Sequence, residues 1–401
     1  VKILLVSQYY WPETIRINDF ISGLKKRGLE IYVLTGQPNY PEGKVYKGYA
    51  PWKLIEETHN QVKIFRVPII PRGKNSIFFL SLNYISFIVS ASFFGAYKLR
   101  RHKFDYILTY ATSPIFQALP AIFISYLKSS KKITWVQDLW PESLIATGYV
   151  KTKSIVSLLN YSVSWIYKNS DLLLVQSQLF IPSVKELAGE TQILYFPQPG
   201  EEFSKKLPHK SDGLKLKRGF NVLFAGNMGR AQSLDTILDA AKILKNNPDI
   251  MFYLVGTGSE ASKVYERVSS EKIKNVSLLG KFSSEKMANI YAQASALLIT
   301  LSDHEIFNRT IPGKLQSYLA QSKPIVGSIN GEGARVIFDS KAGLVCSAGD
   351  SKGLAKAVLK LKLTDKKKLS QMGRNGLIYY KANYDIDLLS KKFVSLLKNI
   401  K

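Results

Sequence analysis

The chain has 401 residues, 46% hydrophobic and 12% aromatic, with 56 Lys and Arg against 30 Asp and Glu for a net charge of +26. That length exceeds one ordinary hydrophobic core, so two domains are expected. A single cysteine, Cys346, excludes a disulfide framework and a cysteine-based zinc site, and four scattered histidines offer no metal-ligand spacing.

A reducing compartment fits this cysteine usage. The basic excess is 11 over residues 1–200 and 15 over the rest, so it is spread through the chain and not held in a tail. Such a charge favours phosphate-bearing partners, whether nucleic acid, anionic lipid or phosphorylated small molecules.

In chain order, "KILLVSQ" (Lys2–Gln8) opens as a buried strand, with no secretory signal pattern before it. "ETIRINDFISGLKKRG" follows with helical periodicity, then "EIYVLTG" (Glu30–Gly36) as a second strand. "DYILTYA" (Asp105–Ala111), "KITWVQD" (Lys132–Asp138) and "DLLLVQS" (Asp171–Ser177) continue the series, with "SPIFQALPAIFISYLKSS" as a helix between the first two. Near-continuous apolar strands alternating with helices predict a parallel sheet covered on both faces.

The stretch Ile77–Arg101 is apolar for about 21 residues, close to the length that spans a bilayer. Ser81, Asn83, Ser86, Ser90 and Ser92 interrupt it, and Arg72, Lys74, Lys98, Arg100, Arg101 and Lys103 flank it. A membrane span, a buried domain helix and an amphipathic helix in contact with lipid are the three readings. The interruptions and flanking cations favour the last.

Proline, glycine and charge displace periodicity over Phe196–Gly219, which marks a domain boundary. The alternation then restarts with "FNVLFAG", "DIMFYLVGTG", "NVSLLGKF", "ASALLITL", "KPIVGSI" and "AGLVCSAGD". Two similar α/β domains are therefore predicted: 1–197, a linker 198–218, a second domain 219–380, and a C-terminal helix 381–401. In open α/β sheets ligands bind beyond the carboxyl ends of the strands, so a cleft between two facing sheets is the expected site.

Three stretches carry the chemistry. "FAGNMGRAQSLDTILDAAKIL" is a strand, a glycine turn and a helix; Gly226 and Gly229 let backbone approach a ligand. "IPGKLQSYLAQSKPIVG" predicts a helix with Thr310 as N-cap and Pro312 in its first turn. Lys314 then stands at the positive end of a helix dipole, which suits a bound anion or, alternatively, a solvated surface lysine. Arg230, Lys314 and Arg309 together are cations placed to neutralise a departing diphosphate without a metal. In "WVQDLWPES", Asp138 ends a strand and is either a proton acceptor for an attacking hydroxyl or a helix N-cap.

The order of "KILLVSQYYWPE", "LTGQPNYPEGKVYKGY", "WVQDLWPESLIATG", "FAGNMGRAQSLDTILDAA", "LVGTGSE" and "IPGKLQSYLAQSKPIVGSINGEGARVI" resembles the GT-B glycosyltransferases of family four. More narrowly, it resembles bacterial transferases of O-antigen and capsule assembly, including those for N-acetyl-L-fucosamine. The resemblance implies two Rossmann-like domains facing across a cleft, with the C-terminal helix crossing back to the first.

The resemblance also implies roles for particular residues. Asn227 and Gln232 stand where the family's pyrophosphate-binding Arg and Lys are found, so Arg230 and Lys314 are the expected replacements. Arg309 and Ser317 occupy the places of the family's glutamate pair. Gln316, Ser317 and Tyr318 are candidates for the donor sugar, and Gly331 and Glu332 face the donor from the next helix start. Gln137-Asp138 replaces the family's His-Asp pair, leaving Asp138 as the catalytic candidate. Glu13, Arg16 and Glu142 are placed on the acceptor side.

The implied activity is transfer of a hexosamine from a UDP-sugar to a polyprenyl-diphosphate-linked saccharide. The UDP-sugar is a co-substrate, and neither metal nor other cofactor is called for. The expected location is cytoplasmic, attached to an anionic membrane surface at the inner face. A UDP-sugar epimerase of the same fold is one alternative, and a basic membrane- or nucleic-acid-binding protein another. Dispersed basic residues with no recognition module argue against nucleic acid as a partner.

Overall fold

The computed structural model describes residues 1–73, 77–146, 150, 152–201 and 215–400. The chain forms two compact units, one of Val1–Gln198 with Ile386–Lys401 and the other of Pro199–Asp385. Lys74 and much of the charged stretch expected as a linker (202–214) lie outside the described residues.

Unit 1 is built on β1 (Lys2–Val6), β2 (Glu30–Gly36), β3 (Ile55–His59), β4 (Val62–Val67), β5 (Tyr106–Ala111), β6 (Lys131–Val136), β7 (Leu172–Val175) and β8 (Gln192–Tyr195). Their order in the sheet is β3-β4-β2-β1-β5-β6-β7-β8, parallel except for the β3–β4 hairpin. That hairpin and β8 are absent from the sequence-based series: "IEETH" and "QILY" are short and half-exposed, and Lys63 and Arg66 break the apolar run of the buried β4.

The two faces of this sheet follow from the period of two along each strand. Leu4 and Val6 of β1 pack with Phe87, Ala91 and Ile124. These come from α2 (Ile77–Lys98, containing a π turn at Ala91–Gly95) and α3 (Ala118–Lys128). Ile3 and Leu5 point the other way, into a core shared with Phe20 and Phe393. These two rings lie 5.5 Å apart, on α1 (Ile17–Lys26) and on the C-terminal helix Ile386–Leu397.

The C-terminal helix thus returns to unit 1, and it begins at Ile386 instead of 381. Residues 381–383 end a separate helix, Lys366–Asn383, in unit 2. The Tyr106 hydroxyl donates to the Leu397 carbonyl at 2.6 Å, and Arg27 Nη2 to the Asp387 carbonyl at 2.7 Å. A Cβ on Gly23 would stand 2.5 Å from Ser390 Oγ, so a glycine there lets the two helices close up.

Unit 2 is a six-stranded parallel sheet of β9 (Phe220–Ala225), β10 (Ile250–Val255), β11 (Val276–Gly280), β12 (Ala296–Thr300), β13 (Ile325–Ser328) and β14 (Gly343–Cys346). The order is β11-β10-β9-β12-β13-β14. Its main core sets Val222, Phe224, Phe252 and Leu254 against Ile237 and Leu238 of the helix Leu234–Ile243. In both units the first strand lies inside the sheet, so the loops that follow β1 and β9 emerge centrally at the carboxyl edge.

Candidate active site

In unit 2, the loops after β9 and β10 are zipped together beyond the sheet. Gly226 N donates to Val255 O at 2.9 Å, Met228 N to Thr257 O at 2.8 Å, and Glu260 N to Met228 O at 2.9 Å. Gly256 has φ +136°, and a Cβ there would lie 1.9 Å from the Gly226 carbonyl. Only glycine admits that approach.

The helix carrying Lys314 runs from Gly313 to Ala320 and its N-cap is Pro312, not Thr310. Ile311 precedes a proline and is steered away from helical dihedrals, so the helix starts after the ring. Thr310 instead ends the preceding helix, Glu305–Arg309, and its hydroxyl donates to the Ile306 carbonyl at 2.7 Å.

Lys314 is not a solvated surface lysine. Its Nζ lies 3.9 Å from the centroid of the Phe224 ring and donates to the Gln232 side-chain carbonyl. A Cβ on Gly226 would stand 3.2 Å from it. Burial pushes the Lys314 ammonium down to about 7. Among the described residues it has no carboxylate partner. Gln232 is held in turn through its backbone carbonyl, which accepts from the Thr300 hydroxyl at 2.5 Å. The structure therefore brings together Gly226, Gln232 and Lys314. It adds Phe224 and Thr300, which sequence analysis passed over because a strand Phe and a buried Thr look like ordinary core.

Other expected donor contacts are corrected. Tyr318 is fully buried, with its hydroxyl accepting from Ala225 N at 2.8 Å and donating to Ala225 O at 3.1 Å. It anchors the end of β9 and does not face a sugar. Gln316 and Ser317 are likewise buried, and Ser317 Oγ accepts from Glu201 N at 3.3 Å. The reason is that this short helix is packed beyond its first turn, leaving only its start at the edge.

Arg309 pairs with Glu305 on its own helix, so its charge is already answered. Glu332 is 3% exposed and gripped by both arms of Arg335, at 3.0 and 2.9 Å. Gly331, at φ +61°, is required because a Cβ would lie 1.9 Å from the Asn308 carbonyl. Arg230 differs most from Lys314: its side chain is 89% exposed and stands 3.5 Å from Glu260. Asn227 is exposed in the same loop; a Cβ on Gly229 would lie 2.9 Å from its Nδ2.

In unit 1, Asp138 follows β6. Its Oδ2 accepts from both Ser113 N and Ser113 Oγ at 3.0 Å, and Trp140 Nε1 donates to Ser113 Oγ at 3.0 Å. Burial raises the Asp138 carboxyl above its usual range, against the lowering effect of the two Ser113 bonds. Asp138 caps no helix, since the next one runs over Glu142–Ala146.

Glu13 is corrected from acceptor contact to loop tie. It is 1% exposed and accepts from Tyr10 N at 3.1 Å and from Asn39 N and Tyr40 N at 2.7 Å each. Burial still pushes its carboxyl up to about 7. Arg16 is half-buried at the start of α1. Glu142 is half-buried and opens its short helix, with one carboxylate oxygen, Oε2, buried and unbonded. Among the described residues no group of three or more His, Cys, Asp or Glu side chains is arranged to hold a metal.

Residues 219–363 match the family described as "Glycosyl transferases group 1". The chain is 22% identical over 335 residues to "Putative colanic acid biosynthesis glycosyl transferase WcaI" of Escherichia coli, covering 80% of this chain and 81% of that one. It is 25% identical over 314 residues to "Probable glycosyltransferase WbjE" of Pseudomonas aeruginosa, covering 75% and 76%. Among solved structures, Anabaena Alr3699/HepE in complex with UDP superposes with a TM-score of 0.69 at 14% identity, over 99% of this chain and 100% of that one. The architecture, two α/β units each on a parallel sheet, is that of GT-B glycosyltransferases.

Proposed function

We propose that this protein, a group 1 glycosyltransferase of GT-B architecture, moves a sugar from a UDP-sugar to a saccharide carried on a polyprenyl diphosphate. The observation that carries the donor half is Lys314, a partly desolvated ammonium with no carboxylate beside it among the described residues, at the first turn of a helix and against a glycine loop. A cation partly withdrawn from water is costly, and a diphosphate is a partner that makes it favourable. Helix N-terminal N–H groups add to the same field. UDP as the nucleotide is supported by the HepE complex.

In the reaction, the acceptor hydroxyl attacks the anomeric carbon while the bond from that carbon to the β-phosphate oxygen breaks. UDP leaves with the electron pair, stabilised by Lys314. The proton passes to Asp138, whose raised affinity for protons suits it to the task. No cofactor beyond the co-substrate is needed. The relative named for colanic acid biosynthesis supports a place in polysaccharide assembly at the inner face of the cell membrane. A hexosamine, with N-acetyl-L-fucosamine as the candidate, is the donor sugar on the resemblance of the P-G-K-x-Q-S-Y segment.

The test is thermal stability with UDP, GDP, CMP and ADP at matched concentrations, for the native chain and Lys314→Met. A ligand at 100 times its Kd stabilises by about 2.7 kcal/mol. UDP alone among the four is expected to raise the melting temperature, and less in Lys314→Met than in the native chain. No shift with any nucleotide at saturation would overturn the donor site.

A further inference from the structure

Three helices of unit 1 lie on one side of its sheet, and each turns an apolar stripe to solvent. On α2 the stripe is Phe78, Ile85, Val89, Phe93 and Tyr97; on α3 it is Phe123, Tyr126 and Leu127. On α4 (Lys153–Lys168) it is Ile155, Leu158, Tyr161 and Trp165, spaced as one helical face. These residues are between 42% and 73% exposed. Monomeric soluble proteins rarely leave so large a contiguous apolar surface uncovered.

The opposite sides of the same helices are fixed in the core. Asn83, Phe87 and Ala91 of α2 are fully buried. Asn83 accepts from Gln8 Nε2 at 2.7 Å and donates to the Ile70 carbonyl at 2.6 Å, tying α2 to the loop after β1. The apolar residues on one side and these bonds on the other leave α2 unable to cross a bilayer without losing the core of unit 1.

Charge identifies the occupant. All three helices connect parallel strands of one sheet, so their C-terminal ends gather at one rim. That rim carries Lys98, Arg100, Arg101, Lys103, Lys128 and Lys168. Two bonds show the ends are adjacent: Lys128 Nζ donates to the Arg100 carbonyl at 2.8 Å, and the Tyr126 hydroxyl to Asn169 Oδ1 at 2.5 Å. Of the acids near it, Asp105 accepts from the Lys2 amide at 2.7 Å and Asp171 pairs with Lys132 at 3.2 Å. Cations at helix C-termini also suit the helix dipoles, but dipoles do not require aromatic stripes on the outward face.

We propose that the joint outer face of α2, α3 and α4 docks on an anionic lipid bilayer, with its stripes in the headgroup boundary and its basic rim on lipid phosphates. The face extends the membrane contact expected of Ile77–Arg101 to two further helices. It deepens the proposed lipid-linked acceptor, yet its test uses neither donor nor acceptor and so stands or falls separately.

The experiment is sedimentation of the full chain with phosphatidylcholine vesicles and with mixed phosphatidylcholine–phosphatidylglycerol vesicles at rising salt. Binding is expected to the mixed vesicles and to weaken with salt. Brominated lipid is expected to quench fluorescence in the native chain and to lose most of that quench in Trp165→Phe. Phe93→Glu on α2 and Leu158→Glu or Tyr161→Glu on α4 should each weaken partition about tenfold, with unchanged melting.

No binding to mixed vesicles, or equal and salt-independent binding to both kinds, would overturn the proposal. Sensitivity to the α2 variant alone would overturn the three-helix face. Resistance to alkaline extraction would mean a span. A dimer in sedimentation velocity that the same variants dissolve would mean that a second copy covers the face.

Discussion

The two carboxyl edges solve opposite electrostatic problems. In unit 2 the edge is made of close-set backbone, with glycines at 226 and 256 and one half-buried ammonium, Lys314, that has no carboxylate partner among the described residues. In unit 1 the edge is made of side-chain carboxyls, Asp138 and Glu13, wrapped in N–H and O–H donors. Burial lowers proton affinity in the first case and raises it in the second. The difference teaches what each edge awaits: an anion where a cation is unanswered, and a proton where a carboxyl is desolvated.

The largest expected effect is on turnover through Asp138. Asp138→Asn keeps acceptors for the Ser113 bonds but cannot take a proton, so kcat should fall by about 10² to 10⁴-fold. UDP-induced stabilisation should stay intact, as read by steady-state kinetics beside a melting curve. An unchanged kcat would break the contrast by removing the carboxyl from the chemistry.

Next comes Lys314→Met, which preserves the packing on Phe224 and deletes the charge. UDP affinity should weaken by about ten- to a hundredfold, while the free protein melts no lower than the native chain. The pH dependence sharpens this. Between about 7 and the usual lysine range, the unfolded chain holds a proton at this position that the folded chain lacks, so this group's contribution to stability rises with pH across that window. UDP requires the ammonium, so calorimetry should show proton uptake on binding and affinity falling as pH rises above 7. The Met variant should lose both.

Tyr318→Phe strips two hydrogen bonds from Ala225 and leaves its buried amide and carbonyl without them. A loss of about 1–3 kcal/mol in urea unfolding is expected, with the UDP response surviving. A normal melting temperature with lost UDP binding would return Tyr318 to the donor site. The smallest effect is expected for Arg230→Ala. Its exposed guanidinium is screened by water and salt, and a change of about threefold or less in UDP affinity is expected.

Much of this was legible in the chain. The apolar strands around Lys2–Val6 and Phe220–Ala225 identify themselves by run length, and the glycine at 226 by the turn it implies. Lys314 stands out because a lysine opposes its own helix dipole there. Tyr318, Glu332 and Glu13 were misplaced for one shared reason. Beyond the carboxyl end of a strand, a polar side chain that faces a ligand and one that fastens the backbone leave the same sequence pattern.

The sequence by itself determined the two α/β units, the order of the strands' apolar runs and the excess of cations, because periodicity and composition are local properties. Only the tertiary structure decided which cations are answered. Arg309 and Arg335 find carboxylates within a turn or so of their own helices, Arg230 stands in water, and Lys314 meets an aromatic ring on β9 and an amide on the loop after it, both far off in sequence. It likewise decided that the stripes of α2, α3 and α4 form one face, since a right-handed series of crossovers places those helices side by side on the same sheet. Charge and burial become chemistry only when distant segments are brought together, and that is set by packing.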